Sequence, residues 1–356
     1  GLTAAVDLAE SGRRVAVVSR GDPIACLSTG CIDLLDGTAN PLAALASLPD
    51  RHPYRLLGEE GVDQALEKFR ERMAAAGLVY MGSPRVNRAI LTPLGTFKTT
   101  CLVPETMNAS PGRYDEAVHI VSFAGLKDFY PSYLQARFRR STVSVFEAGP
   151  VTPLSLAQSF ETPPFRRRFL DWLGGLDRTE EKIGLPAVLG LNGFRAIQEA
   201  VEEKAGLPVF EIPTLPPSVA GMRLFRALKG CLKKAGGQLY WGRPVASVER
   251  YGRVVEAVTI AARGRRIRVN GKAFVLATGS FVSGGLYARI DGIQETVLGL
   301  PVQAPSFRGD WFGPDFFPPC HPIEEAGVEV DESWRPAGTS LENVFVCGSL
   351  LAHGAV

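Results

Sequence analysis

Small and hydroxyl-bearing residues form two turns in this chain that could bring the backbone close to a phosphate or a sugar. The apolar run 273–276 is followed by Ala277–Gly279, of sequence Ala-Thr-Gly. A strand that turns on these residues puts no bulky side chain beneath a nucleotide. The second turn is Ser28–Gly30, whose amides and hydroxyls could donate to anionic oxygens. A plain turn in which Asp33 caps a helix is the alternative for that segment.

The first twenty residues resemble part of a dinucleotide-binding βαβ unit. Gly1 precedes a run of small residues, where the third glycine of a GxGxxG turn packs a helix against a strand, although a single glycine is weak support. The apolar strand 15–18 ends at Ser19 and Arg20, where a carboxylate usually binds a ribose hydroxyl. Arginine accepts no hydrogen bond but can donate to a phosphate, or it can lie in solvent.

A last apolar strand, 344–347, leads into Gly348 and Ser349, where flavin-binding folds often have Gly-Asp. These features together predict a flavin between the two ends of the chain. The absent carboxylate after strand 15–18 favours FMN, with FAD as the alternative. The predicted cofactor-binding residues are Gly1, Ser19, Arg20, Ser28, Thr29, Gly30, Thr278, Gly279, Gly348 and Ser349.

Composition excludes several other classes of function. The formal net charge of +2 gives no support for a nucleic-acid partner. Six cysteines and four histidines are scattered, so no metal site is predicted. No signal peptide and no run of about 18 apolar residues is evident, so we expect no membrane span. His321, Arg308 and Arg335 could line a site or serve the loop structure, and no catalytic base is identified.

Strand and helix patterns predict an α/β fold of the Rossmann-like FAD/NAD(P)-binding type, with three layers and a β-meander. Alternating strands and helices over 117–212 predict an inserted α/β domain with a parallel sheet. Its expected strands are Val118–Phe123, Thr142–Phe146, Ala187–Leu191 and Val209–Ile212. The expected meander strands are 238–241, 244–250, 254–261 and 266–270.

We predict that the inserted domain interrupts the flavin domain. Residues 1–60 form the first part of the flavin domain, and 61–215 form the inserted domain. Residues 216–281 then form the second part of the flavin domain, 282–340 a loop-rich segment that covers the site, and 341–356 the last strand. We also expect the chain to lack the first strand with its leading glycines, and a continuation beyond the last strand.

Several blocks of residues, in order along about 1–350, resemble the B subunit of the anaerobic glycerol-3-phosphate dehydrogenases. The blocks are 28–35 (STGCIDLL), 52–58 (HPYRLLG), 91–96 (LTPLGT), 213–219 (PTLPPSV), 276–281 (LATGSF), 283–286 (SGGL), 309–312 (GDWF), 335–336 (RP) and 343–345 (NVF). Blocks in a constant order are far more specific than any single motif.

The resemblance implies an FMN-dependent subunit of a respiratory enzyme that oxidises sn-glycerol 3-phosphate to dihydroxyacetone phosphate and passes electrons to quinone. It also implies a sister catalytic flavoprotein subunit, an iron–sulfur membrane-anchor subunit, and a peripheral location on the cytoplasmic face of the inner membrane. Two alternatives stay open. The chain could be a cofactor-free structural partner of the catalytic subunit, or a flavin disulfide oxidoreductase using Cys26 and Cys31.

Overall fold

The computed structural model of the protein describes residues 1–262, 264–317 and 320–354. Helices within these ranges are α1 (Leu2–Glu10), α2 (Pro41–Ala44), α3 (Pro53–Ala75), α4 (Pro131–Arg137), α5 (Pro153–Glu161), α6 (Pro163–Gly174), α7 (Phe194–Ala205) and α8 (Val219–Lys234). None of them is long and apolar enough to pass through a bilayer.

The strands follow the same chain order. They are β1 (Ala16–Ser19), β2 (Tyr80–Gly82), β3 (Arg88–Leu91), β4 (Phe97–Thr100), β5 (Leu102–Pro104), β6 (Val118–Phe123), β7 (Ser141–Phe146), β8 (Lys182–Pro186), β9 (Val209–Ile212), β10 (Gln238–Trp241), β11 (Val245–Tyr251), β12 (Val254–Ala262), β13 (Arg265–Asn270), β14 (Phe274–Leu276), β15 (Leu286–Ala288), β16 (Ile293–Glu295) and β17 (Val344–Val346).

The chain divides into two compact units. The first unit comprises Gly1–Asp22, Leu45–Gln64 and Cys231–Val356, and the second comprises Pro23–Ala44 and Ala65–Gly230. Residues 23–44, which were predicted to belong to the flavin domain, therefore pack in the second unit. The functions predicted for the five segments 1–60, 61–215, 216–281, 282–340 and 341–356 stay predictions, because packing alone does not show what a segment does.

The second unit contains a parallel sheet of order β7-β6-β8-β9, as expected of an inserted α/β domain. All six residues of β6 are buried, which is typical of a central parallel strand covered on both faces. Phenylalanines 123, 160 and 169 pack in the core beside this sheet.

One strand predicted for the second unit is wrong. The strand of this region is β8, Lys182–Pro186, whereas Ala187–Leu191 is a buried turn. The apolar run spans both segments, so hydrophobicity alone could not locate the strand within it. Gly190 has a φ of 98°, outside the strand region of the backbone map.

In the first unit, β1 pairs with β10 and β14 pairs with β17, both in parallel. Strands β11, β12 and β13 form an antiparallel meander. The first of the four predicted meander strands, 238–241, is instead β10, which follows α8 and pairs in parallel with β1. Ala16 at the start of β1 is exposed, so this strand is less buried than its apolar sequence predicted.

Candidate functional site

In the first unit, the parallel strands β14 and β17 are each followed by a turn, and both turns lie at the same edge of the strand pair. Strands β14 and β17 are in register, with Leu276 opposite Val346, and the amide of Cys347 donates to the carbonyl oxygen of Leu276 at 2.9 Å. The turn with Thr278 and the turn with Gly348 therefore begin side by side. The carboxyl ends of parallel strands are where α/β proteins bind ligands.

Glycines in the segment after β14 allow an unusually close backbone approach. Gly279 has a φ of 81°, and a Cβ added there would lie 2.6 Å from the Ser283 side chain and 3.5 Å from Oγ of Ser349. A Cβ on Gly285 would clash with the carbonyl oxygen of Gly279. The predicted residues Gly279 and Ser349 are thus neighbours, whereas Ser283 and Gly285 were not among the predicted site residues. Their Ser-Gly-Gly sequence was the available signal.

Arg20 reaches this same segment from the end of β1. A Cβ added to Gly284, whose φ is 76°, would lie 2.8 Å from Nη2 of Arg20. The guanidinium group therefore packs against a backbone that carries no side chain. This position supplies a positive charge beside the segment that follows β14.

Thr278 provides a buried polar atom that the described part of the chain leaves unsatisfied. Its Oγ1 is inaccessible to solvent and has no hydrogen-bond partner there. A buried hydroxyl without a partner costs about 1–3 kcal/mol. A ligand with a donor or acceptor at this point would remove that cost. The hydroxyl, the guanidinium group and the glycine backbone together fit the phosphate and ribityl parts of a flavin nucleotide.

Gly1 and Ser19 have different positions in the first unit. A Cβ on Gly1 would lie 2.8 Å from Cβ of Ala277, so glycine lets the start of α1 approach the Ala-Thr-Gly turn, and its role toward a cofactor stays a prediction. Ser19 donates from Oγ to the carbonyl oxygen of Gly21 at 2.6 Å, and its carbonyl accepts from the amide of Arg243. Its hydroxyl is therefore engaged in a local turn, and its role toward a cofactor stays a prediction.

The predicted loop Ser28–Gly30 belongs to the second unit. The hydroxyls of Ser28 and Thr29 stabilise this loop. The Gly30 amide donates to Oγ of Ser28 at 3.3 Å, and the Cys31 amide donates to Oγ1 of Thr29 at 3.3 Å. Gly30 has a φ of 82°, and a Cβ there would lie 2.9 Å from Cβ of Ala220. The loop thus packs tightly on the start of α8, and its cofactor role stays a prediction.

The cysteines offer little support for disulfide chemistry. Cys26 and Cys31 are both buried thiols rather than a disulfide. Burial raises the pKa of Cys31 to about 11, so this sulfur stays protonated at neutral pH and is a poor nucleophile. Among the residues that the structure describes, no group of three His, Cys, Asp or Glu side chains could hold a metal ion.

Comparison with known proteins points to one family. The FAD binding domain family matches residues 1–355 of the chain. Similar curated proteins include the B subunits of the anaerobic glycerol-3-phosphate dehydrogenases of Yersinia pestis and Pectobacterium atrosepticum. Both are 30% identical, over 385 and 379 aligned positions, which cover 99% of this chain and 89% of each relative. The Vibrio vulnificus protein of the same name is 28% identical over 391 positions, covering 99% of this chain and 88% of the relative.

Proposed function

Since this chain belongs to the FAD binding domain family and to the family of anaerobic glycerol-3-phosphate dehydrogenase B subunits, we propose that it is a flavin-dependent subunit of such an oxidoreductase. The substrate of the complex is sn-glycerol 3-phosphate, the product is dihydroxyacetone phosphate, and the electrons go to quinone. The observation that carries the proposal for this chain is the joint position of Arg20, Thr278 and Ser349 around a glycine backbone.

The residues of the site have separate tasks in holding a flavin nucleotide. When bound, a flavin supplies an acceptor for the hydride that leaves an alcohol carbon. The Thr278 hydroxyl is available to hydrogen-bond the nucleotide. The Ser349 hydroxyl is available to a ribityl oxygen, and Gly279 and Gly285 let the 278–285 backbone fold closely on itself beside that hydroxyl. This chain therefore contributes orientation and electrostatics.

We infer that the flavin is FMN, with Arg20 donating to its terminal phosphate. FAD needs an acceptor for the adenosine ribose hydroxyls, and β1 ends in Ser19 and Arg20 instead of a carboxylate. A guanidinium group binds a phosphate through two parallel charge-assisted hydrogen bonds. The position of Arg20 against Gly284 supports this use of its charge.

The partners proposed are a sister catalytic flavoprotein subunit and an iron–sulfur subunit that anchors the complex. The relatives are each named as one lettered subunit of a dehydrogenase, which supports an assembly of several chains. We propose a peripheral position on the cytoplasmic face of the inner membrane, which the resemblance of the residue blocks supports.

The test is to extract and identify the cofactor of the purified protein. We expect FMN at about one per chain, identified by chromatography after acid release. Arg20→Ala should weaken FMN binding by tenfold or more, corresponding to about 1.4 kcal/mol, and Arg20→Lys by less. Arg13→Ala, at an exposed arginine in the same unit, is the matched control and should retain FMN.

Two results would contradict the proposal in different ways. Bound FAD whose affinity is unchanged in Arg20→Ala would exclude the phosphate role of that residue. A preparation with no flavin, in a complex that still turns over, would favour the cofactor-free structural partner. The neutral Ser349 in the place of an aspartate is the observation that favours this second candidate.

A further inference from the structure

Large apolar side chains are concentrated on one exposed face of the first unit. We call the aromatic face the set formed by Tyr287, Ile290, Phe307, Phe312, Phe316 and Phe317. Ile290 is 93% exposed, Phe316 82% and Phe317 90%. Single exposed apolar residues are ordinary on protein surfaces, but a contiguous group marks an interaction site.

Contacts link the segments that carry these side chains. Nη1 of Arg308 donates to the carbonyl oxygen of Arg289 at 2.9 Å, which ties the segment of Phe307 and Phe312 to the β15–β16 hairpin of Tyr287 and Ile290. The ring of Phe312 packs edge-on against His321, with centroids 5.2 Å apart. The rings of Phe316 and Phe317 pack edge-on at 4.7 Å. These contacts join the segment of Phe307 and Phe312 to the hairpin, and Phe316 and Phe317 follow four and five residues after Phe312 in the chain.

A small buried apolar cluster lies beneath the aromatic face and supports it. Trp311 is 4% exposed, packs with Ile323 and Ala326, and donates from Nε1 to the carbonyl oxygen of Pro305 at 3.1 Å. The amide of Ile323 donates to the carbonyl oxygen of Trp311 at 3.0 Å. Exposed aromatic side chains on a packed base lose little entropy on binding, as at protein interfaces.

The charges around the aromatic face distinguish between two kinds of partner. Residues 281–325 contain no lysine. The exposed charged residues in this stretch are two arginines and five carboxylates, namely Arg289, Arg308, Asp291, Asp310, Asp315, Glu324 and Glu325. Within this stretch the exposed carboxylates outnumber the arginines, and an excess of negative charge disfavours anionic lipid headgroups. Aromatic and arginine side chains with an acidic rim instead suit a protein surface that presents an apolar pocket bordered by lysine and arginine.

We propose that the aromatic face is the surface by which this chain binds a sister protein subunit of its complex. The inference rests on the proposed function, because that function supplies the assembly. The partner surface has an apolar cleft for the Phe316–Phe317 pair and basic residues opposite Asp310 and Asp315. The aromatic face lies in residues 287–317, which follow the proposed cofactor-binding turn Ala277–Gly279 in the chain. A subunit bound there would contact the segment that continues from this turn.

The test uses the full chain with its flavin, co-expressed with the other subunits of its own complex. The double variant Phe316→Ser/Phe317→Ser should weaken the measured affinity between purified subunits at least tenfold. Tyr251→Ser, at a tyrosine 82% exposed outside the aromatic face, is the matched control and should bind as the wild type. Asp310→Asn/Asp315→Asn should lower the association rate and its dependence on salt.

Further measurements separate this inference from its rivals and from the proposed function. Equal subunit affinity for the double variant and the wild type would overturn it. Wild-type binding to phosphatidylglycerol vesicles that the double variant loses would assign the face to lipid, and a homodimer that the double variant dissociates would assign it to a second copy. Flavin content is read separately, since its absence contradicts the proposed function while the subunit affinity is still measured.

Discussion

Individual residues decide what the turns after β14 and β17 can accept. Thr278 has a buried hydroxyl without a partner in the described residues, and Gly279 and Gly285 approach so closely that neither site has room for a Cβ. The tight backbone turn and the unpaired hydroxyl together are properties of a site that leaves one hydrogen bond for a ligand. They differ from the properties of a core, where buried polar atoms are paired.

Replacing Gly285 tests the close approach. Gly285→Ala should lower the free energy of unfolding by about 1–3 kcal/mol, because the new Cβ forces the 279–285 backbone apart. The measurement is chemical denaturation followed by flavin titration, and flavin binding should weaken as well. Gly309→Ala is the control, since a Cβ there meets no atom within 4 Å. Equal stability of both variants would contradict the steric argument.

Replacing Thr278 distinguishes the effect of its hydroxyl on flavin affinity from its effect on the stability of the protein. Thr278→Val removes the unsatisfied hydroxyl, so the apo protein should be as stable as the wild type or more stable. Flavin affinity should fall about five- to tenfold, because the hydrogen bond to the nucleotide is lost. Thr278→Ser keeps the hydroxyl and should keep most of that affinity. An unchanged flavin affinity in Thr278→Val would show that the hydroxyl does not contact the cofactor.

At the scale of elements, a buried ion pair joins β9 to α8 in the second unit. Arg223 donates from Nη2 to Oε1 of Glu211 at 2.9 Å and from Nε to the carbonyl oxygen of Gly190 at 2.8 Å. Oε1 of Glu211 also accepts from the amide of Leu189. The pair therefore positions the buried turn 187–191, where the sequence had predicted a strand.

Breaking this pair should destabilise the second unit strongly. Arg223→Met leaves the Glu211 carboxylate buried without its counter-charge, which costs about 3–5 kcal/mol. Arg195→Met is the control, because that side chain is 57% exposed and its ion pairs contribute at most about 1 kcal/mol. Urea denaturation measures both variants, and a loss below about 1 kcal/mol for Arg223→Met would contradict the role of the pair.

A histidine on β6 makes the stability of the same unit depend on pH. His119 is buried, its Nδ1 lies 2.7 Å from Oγ1 of Thr142, and its Nε2 has no partner in the described residues. Burial lowers the pKa of His119 from its usual 6.5, although the Glu180 carboxylate opposes this. The imidazole is thus neutral in the folded protein, while the unfolded chain takes up a proton as the pH falls through 6.5.

The contribution of His119 is therefore complete above pH 6.5 and is lost as the pH falls below it. Below pH 6.5 the unfolded chain binds a proton before the folded protein does, so the free energy of unfolding falls with the pH until the folded imidazole titrates as well. His119→Asn should flatten the profile of unfolding free energy on the acid side of pH 6.5, measured by denaturation in urea. Parallel profiles for the variant and the wild type would exclude His119 as the source.

At the scale of the whole molecule, two units with their own cores share one chain. The first contains the turns after β14 and β17, and the second contains the parallel sheet β7-β6-β8-β9. Two helices, α3 and α8, continue from one unit into the other. Because the turns and the parallel sheet belong to different units, measurements on residues of the first unit report on cofactor binding, and measurements on residues of the second unit report on the sheet.

Hydrogen exchange tests where the cofactor binds. Adding FMN should protect the amides of 277–286 and 347–350, because these are the turns that we propose bind the nucleotide. The strands β6 and β8 should exchange as before. Riboflavin, which lacks the phosphate, is the control ligand and should give weaker protection if Arg20 binds that group. Protection confined to the second unit would contradict the proposed site and would support Ser28–Gly30 instead.

Much of the fold could be predicted because local patterns and global packing agree. The alternation over 117–212 indicated a parallel sheet, and β6 and β9 lie where their apolar runs predicted. The Ala-Thr-Gly turn after β14 was found because small residues after an apolar strand have few other uses. The residue blocks indicated the family, which the comparisons confirm.

The sequence by itself determined the fold class, the family and the position of the Ala277–Gly279 turn, because each is read from the order of residues and patterns along the chain and needs no knowledge of which segments meet in space. Only the tertiary structure decided that β10 pairs with β1, that 187–191 is a turn, and that Arg20 lies against Gly284. The physical reason is that strand pairing, burial and orphaned polar atoms are set by neighbours distant in sequence, which local periodicity does not encode.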